Sequence, residues 1–322
     1  MAVGETQSDE IGPTDAEAVN QPEEATIGWR HSLKKIKEDT TARFGLYVIA
    51  LMTGLAAFAS VDYYLFDYYI AETLWYHPAR DPDQVQQLEP PAFTSDGTWA
   101  HPLGTDARGR DVLARIIYGS RISMTVGLAA TFIGLVGGTI VGSISGYYGG
   151  WVDDVLMRIV ETIYSIPFLV LIIAFMAALG TRDVMFATIG VGIAIIPVFA
   201  RLIRSRVLSV REEEYVEAAR AAGVRDRKII ARHIIPNSFA PVMVQATLQI
   251  GICILIVAGL SFLGYGAQPP TPDWGQMLAE SRDFMIPNPW LSIWPGLAIL
   301  FTVMGFNLLG DGLQDALDPR SK

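Results

Sequence analysis

Long apolar runs dominate the pattern of hydrophobic and polar positions along this chain of 322 residues. A helix needs about 20 mostly apolar residues to cross the hydrocarbon core of a bilayer. Helices are expected for such runs because they satisfy their own backbone groups in lipid, and the alternating pattern of barrel strands is absent. The chain is therefore predicted to be an all-α integral membrane protein with six transmembrane helices, near 44–61 (or to Phe66), 122–147, 162–180, 184–200, 241–263 and 290–310.

Basic residues predict the orientation of these helices, because cytoplasmic loops carry an excess of Lys and Arg. With the N-terminus inside, the inner segments hold 17 Lys and Arg and the outer segments hold 7. Nine of the 17 lie in one segment, 201–240. We therefore expect a multi-pass protein of the cytoplasmic (plasma) membrane with both termini in the cytoplasm.

Composition and charge divide the rest of the chain. Only 18% of the residues are charged, against about 25% in soluble domains. The net charge of −9 is concentrated in an N-terminal stretch without aromatic or basic residues, which is typical of disorder. The predicted organisation is a disordered acidic cytoplasmic tail (1–28), a basic flank with the first transmembrane helix (29–66), an extracytoplasmic loop (67–119), a five-helix membrane domain (120–311) and a cytoplasmic C-terminus (312–322).

The polar segment between the fourth and fifth spans has its own helical pattern. Ser209 and Glu212 match a capping box at the start of a predicted helix over 212–222, and Gly223 suits the positive φ at its end. A second helix is predicted over 227–234, ended by Pro236. This pair, small on one face and charged on the others, is suited to dock a cytoplasmic partner. The alternative is an interfacial helix that only anchors the two spans.

The residues of this segment resemble the EAA loop of ABC-importer permeases. The pattern is Glu217-Ala218-Ala219, then Gly223, then Ile235-Pro236, where the family usually has Leu-Pro. The resemblance extends over about 95–320 and is specific to the second ("C-type") membrane subunit of dipeptide/oligopeptide (or nickel) importers. Its other segments are His101–Asp106, Gly109–Leu113, Tyr118–Arg121, Gly146–Asp153, Ser261–Gly266, Gln268–Gly275 and Asn307–Arg320, in which Gln314 replaces the usual Arg.

The resemblance implies a type I ABC-importer permease domain with a cytoplasmic coupling (EAA) helix in a loop over 209–237. It implies a pore-forming permease that moves di- or oligopeptides across the membrane, with nickel or another small solute as the alternative cargo. The implied partners are a second homologous permease subunit, two ATP-binding subunits, an extracytoplasmic solute-binding protein and membrane lipid, without nucleic acid. The residues expected to contact the ATPase are Tyr215, Glu217, Ala218, Ala219, Gly223, Ile235 and Pro236.

Motifs for catalysis are absent from the sequence. A phosphate-binding loop needs Gly-Lys-Ser/Thr, and none of the five lysines follows a glycine. The four histidines are not at metal-binding spacing. We therefore expect a non-catalytic subunit without cofactor or metal, with ATP hydrolysis by its partners. A rival class, a stand-alone secondary transporter, normally needs an ionisable residue inside its spans, and the span centres contain none.

Two further patterns are open to a packing or a gating interpretation. Gly138, Gly142 and Gly146 recur at a spacing of four, which allows a neighbouring helix to approach closely. Packing within the subunit is favoured over a surface that lines the pore or the partner permease. Arg158 and Glu161, at i and i+3, are interpreted as an interfacial pair or, alternatively, as a gate. Prolines in the third and fourth spans are expected to kink them.

Overall fold

The computed structural model describes residues 39–82 and 85–317. The predicted acidic tail (1–28) and most of its basic flank lie outside the described residues, as do the last five residues of the chain. Within the described ranges the chain is helical, and no β-strand forms beyond an isolated bridge between Thr105 and Asp111.

Eleven α-helices are numbered here along the described residues. They are α1 (Thr40–Phe66), α2 (Tyr69–Leu74), α3 (Val112–Tyr148), α4 (Gly150–Ser165), α5 (Phe168–Leu179), α6 (Val184–Arg211), α7 (Glu214–Ala221), α8 (Asp226–Ile229), α9 (Ile235–Phe262), α10 (Trp274–Glu280) and α11 (Trp290–Leu317). A π-helical turn, Ile230–Ile234, joins α8 to α9, and a 3₁₀ turn, Arg282–Phe284, follows α10.

Five helical runs of the described chain are long and apolar enough to cross a membrane. They are α1, α3, α6, the continuous run Asp226–Phe262 and α11. The pair α4 and α5 supplies a sixth span if it is counted as one, although its two helices meet at 94°. The predicted all-α membrane fold is thus confirmed, and each predicted run corresponds to one of these elements.

The predicted span 162–180 is not one straight helix, and Pro167 is the cause. Ile166 has φ −82° and ψ 130°, the extended conformation that a residue before proline prefers. Beyond the break, α5 has only 12 residues, which is about 18 Å of helix and too short to cross a bilayer alone. The expected kink at this proline is confirmed, whereas α6 runs through Pro197 without a break in its helix.

Two spanning helices extend well beyond their apolar runs. The helix α3 begins at Val112, where the Asp111 carboxylate accepts a hydrogen bond from the Ala114 amide at 2.7 Å. The helix α6 continues past its apolar run to Arg211 and reaches 28 residues, or about 42 Å. Hydropathy marks where lipid ends, and a helix is free to continue into water as long as its backbone bonds are kept.

The centre of the fold is a close contact between α3 and α6. A Cβ added at Gly138 would lie 2.3 Å from the Phe199 Cβ, and one added at Gly142 would lie 2.5 Å from the Ala200 carbonyl oxygen. At Gly146 it would lie 2.9 Å from the Val207 Cβ. All three glycines therefore face α6 of the same chain, and both backbones approach more closely than any side chain would allow.

Candidate functional site

The segment 209–237, which joins α6 to α9, forms one end of the helix bundle; this end is called the basic end below. Its first helix differs from the prediction. Ser209 lies inside α6, and α7 begins at Glu214 with Glu213 as its N-cap residue, without a side-chain capping bond. The predicted capping box with Glu212 is therefore wrong, because α6 extends through the position at which the cap was expected.

The second predicted helix, over 227–234, also differs. Residues Asp226–Phe262 form one continuous helical run, with a π-helical turn at Ile230–Ile234. Pro236 does not end this run but lies in the first turn of α9, directly after the π-helical turn. Of the two residues predicted to end the family pattern, Pro236 is exposed and Ile235 is half-buried.

The helix α7 has one buried apolar face and one exposed face. Val216 is fully buried against the bundle core, and Ala219 packs beside it. Tyr215, at 42% exposure, faces solvent, as do Glu217 and Ala218. Burial together with the nearby Glu213 carboxylate raises the pKa of Tyr215. The predicted contact residues on α7 thus form an open surface rather than part of the core, with the exception of Ala219.

Gly223 ends this exposed stretch in the left-handed conformation predicted for it. Its φ is +73°, and a Cβ added there would meet no atom within 4 Å. The position is therefore constrained by its backbone conformation and not by crowding within the chain.

Polar contacts join this segment to the last turn of α3. The Tyr147 hydroxyl donates to Asp226 Oδ1 at 2.6 Å. Arg211 Nη1 donates to the carbonyl oxygens of Gly146 and Tyr147 at 3.1 and 3.2 Å, and the Arg220 guanidinium lies 5.5 Å from the Tyr147 ring centroid. The sequence analysis did not pair Tyr147 with Asp226; the only signal for Tyr147 was the motif Gly146–Asp153.

A second polar region lies between α4 and α6. Arg204 Nε and Nη2 donate to the two Asp153 carboxylate oxygens at 2.6 and 2.5 Å, and the Ser145 hydroxyl donates to the same carboxylate. The predicted pair Arg158 and Glu161 is exposed and lines a cavity of about 300 Å³ beside this ion pair. Within the described chain these two side chains form no direct ion pair with each other.

The opposite end of the bundle contains a buried charge cluster that the sequence analysis did not identify as a unit. Arg110 Nη2 and Arg115 Nη2 donate to the same Glu280 oxygen at 2.8 and 2.9 Å. Arg110 Nε also donates to Asp106 Oδ2 at 2.8 Å. Each arginine side chain is 1% exposed. These bonds fasten Arg110, which lies just before α3, and Arg115, in the first turn of α3, to Glu280 of α10, which is 170 and 165 positions away in sequence.

Throughout 39–82 and 85–317 no three His, Cys, Asp or Glu residues are grouped so as to hold a metal ion. Cys253 is buried within α9. The described residues form a helical membrane bundle with an exposed helical loop at its basic end.

Comparison with known proteins identifies the class to which this bundle belongs. Residues 138–322 match the family described as binding-protein-dependent transport system inner membrane component, and the chain belongs to this family. It is a multi-pass membrane permease of the ABC-importer type, and the resemblance inferred from the sequence motifs is confirmed.

Individual relatives agree with this assignment. The chain is 43% identical over 298 residues to the dipeptide transport system permease protein DppC of Alkalihalophilus pseudofirmus, covering 92% of each chain. It is 46% identical over 225 residues to the glutathione transport system permease protein GsiD of Pectobacterium atrosepticum, covering 69% of this chain and 74% of the relative.

A solved structure shows the same fold. A chain of the inward-facing MetNI methionine ABC transporter superposes with a TM-score of 0.52 at 19% identity, covering 64% of this chain and 98% of that chain. The likeness supports the predicted type I importer architecture.

Proposed function

We propose that this permease forms the pore through which an ABC importer takes up di- or oligopeptides. The observation that carries the proposal is the exposed face of the 209–237 segment, with Tyr215, Glu217, Ala218 and Gly223 open to a partner. The relatives named as dipeptide and glutathione transport permeases support a peptide cargo over nickel or another small solute.

The energy for uptake comes from partner subunits. Two ATP-binding subunits dock on the exposed loop from the cytoplasm, on the side where both termini lie. A second, homologous permease completes the pore, and an extracytoplasmic binding protein delivers the peptide. ATP binding draws the two ATP-binding subunits together, and the loop transmits their movement to the spans. Such coupling requires contacts that differ between the inward and outward states.

Within the pore, Arg158 and Glu161 form part of the gate. Both are exposed on α4, beside a cavity whose wall also contains Arg201. Charged side chains of a spanning segment face water-filled space or a partner rather than lipid. The 94° bend at Pro167 allows α4 to change its angle to α5, which makes this segment suited to open and close the path.

The docking assignment is tested by Gly223→Glu in the assembled complex. We expect the ATP-binding subunits to be lost on purification and peptide uptake in proteoliposomes to stop, because a bulky acidic side chain obstructs the docking face. Gly180→Glu is the matched control, since Gly180 also has positive φ (+65°) and no atom within 4 Å of an added Cβ, but lies at the other end of the bundle. It carries the same backbone strain without obstructing the loop.

Retention of the ATP-binding subunits and normal uptake with Gly223→Glu would refute this assignment. Uptake by the chain alone in ion-loaded vesicles without ATP would instead support a stand-alone secondary transporter.

A further inference from the structure

The loop at the basic end is fastened to α3, a helix that is not its neighbour in sequence. Asp226 and Tyr147 are 79 positions apart, and their hydrogen bond of 2.6 Å closes that separation. Tyr147 is 5% exposed and Asp226 is exposed, so the bond joins a buried hydroxyl of α3 to a carboxylate at the surface of the loop. A hydrogen bond to a charged group is among the stronger polar contacts in proteins.

Arg211 and Arg220 add to the same attachment. Arg211 Nη1 satisfies the Gly146 and Tyr147 carbonyl oxygens, which belong to the last turn of α3, where carbonyls lack helical partners. Arg220 lies over the Tyr147 ring within the range of a cation–π contact. Three separate points of the loop thus converge on two residues of α3.

The helix α3 is in turn joined to α6 without room for independent movement. The glycine contacts bring backbone against backbone at Gly138 and Gly142, and interiors packed in this way transmit strain rather than absorb it. The Arg204–Asp153 ion pair and the Ser145 hydroxyl fix the start of α4 to the same two helices.

The other end of the loop enters α9 through an irregular element. The π-helical turn Ile230–Ile234 precedes α9, and such turns depart from regular helical bonding and occur often at functional sites. The loop is therefore held by polar bonds on its α3 side and continues through an irregular turn on its α9 side.

We infer that Tyr147 and Asp226 are positioning residues that deliver displacement of the loop to the α3–α6 pair, and so to α4. The inference rests on the proposed docking of ATP-binding subunits on this loop. The inference assigns a role to the motif Gly146–Asp153. Tyr147 receives the movement of the loop, and Asp153 passes that movement to the bent span formed by α4 and α5.

The test uses the complete complex with its binding protein in proteoliposomes and the variants Tyr147→Phe, Asp226→Ala and both together. Tyr148→Phe is the matched control, because it removes a hydroxyl from the adjacent residue, which is half exposed. Three quantities are measured: the amount of ATP-binding subunits retained, the rate of ATP hydrolysis and the peptide uptake.

Each single variant is expected to retain the ATP-binding subunits and to hydrolyse ATP, while uptake per ATP hydrolysed falls by roughly tenfold or more, the range of factors that corresponds to losing one hydrogen bond to a charged group. The double variant is expected to fall no further, since both changes break one bond. Tyr148→Phe stays at the wild-type ratio.

The inference is overturned if Tyr147→Phe keeps the wild-type ratio, if the two losses multiply in the double variant, or if either variant releases the ATP-binding subunits. Gly223→Glu, measured in parallel, shows whether a negative result comes from the positioning role of Tyr147 and Asp226 or from the docking of the ATP-binding subunits. Release by Gly223→Glu together with an unchanged ratio in Tyr147→Phe refutes only the inference drawn here, whereas retention by Gly223→Glu refutes the docking on which it rests.

Discussion

Alanine substitutions along α3 test whether backbone contact with α6 holds the bundle together. In Gly138→Ala the new Cβ would lie 2.3 Å from the Phe199 Cβ and 2.8 Å from the Ala200 amide nitrogen. Ordinary van der Waals contact begins at 3.4 Å, so the two helices must separate by about 1 Å. Side-chain rotation gives no relief, because a backbone atom is among the obstacles. Gly142→Ala meets the Ala200 carbonyl oxygen at 2.5 Å and is expected to behave alike.

Two other glycines provide graded controls. In Gly137→Ala the nearest atoms are the Ile196 Cδ1 and Cγ1, at 2.8 and 2.9 Å, which belong to the outer part of a side chain and not to the backbone. In Gly54→Ala, within α1, no atom lies within 4 Å. Replacing glycine by alanine inside a helix stabilises it by roughly 0.5–1 kcal/mol, and this gain is common to all the variants.

The difference between variants therefore isolates the cost of overpacking, which is about 1–3 kcal/mol in a well-packed interior. We expect Gly138→Ala and Gly142→Ala to lower the free energy of unfolding by that amount relative to Gly54→Ala, with Gly137→Ala between them. Denaturant unfolding in mixed micelles measures the difference, with the thermal midpoint as an independent readout. Equal stability of Gly138→Ala and Gly54→Ala would show that α3 and α6 are not in backbone contact.

Two predictions concern the opposite end of the bundle. Glu280→Gln removes the carboxylate that two buried arginines share and leaves Asp106 as their remaining charged partner; we expect it to lower the free energy of unfolding by about 3 kcal/mol. Glu72→Gln, in the exposed pair with Arg80, is expected to change it by less than about 1 kcal/mol, and equal effects of the two variants would contradict the cluster's role. Burial first, and then the nearby Arg80 charge, lowers the pKa of His77, whose Nδ1 accepts hydrogen bonds from the Ala79 and Arg80 amides at 3.0 and 2.9 Å. The folded state thus favours the neutral ring, whose stabilising contribution is present above about pH 6.5 and is lost as the pH falls through the lowered pKa. Amide-exchange protection of residues 77–82, measured against pH, tests this loss. The same pH response in His77→Gln would refute the role of His77.

The glycine pattern illustrates how far local sequence signals extend. A spacing of four places glycines on one face of a helix, so the sequence predicts that some helix packs there. It does not identify that helix. The structure shows α6, because the residues opposite the glycines come from 195–207, and no local pattern relates these two segments.

The candidate coupling segment shows the same division. Gly223 was correctly predicted at positive φ, since a glycine after a run of helix formers marks a helix end. The cap at Ser209 was wrong because capping signals compete with the simple continuation of α6, and that competition is decided by packing such as the buried Val207 and Val216.

By itself, the sequence determined that the chain is a helical membrane protein, where its long apolar runs lie, and which motifs it shares with ABC-importer permeases, because hydropathy and motif spacing are properties of neighbouring residues. Only the tertiary structure decided that Arg110 and Arg115 share the Glu280 carboxylate and that Tyr147 binds Asp226. The physical reason is that these contacts join residues brought together by helix packing. Their free energy depends on burial and distance, which a linear pattern does not record.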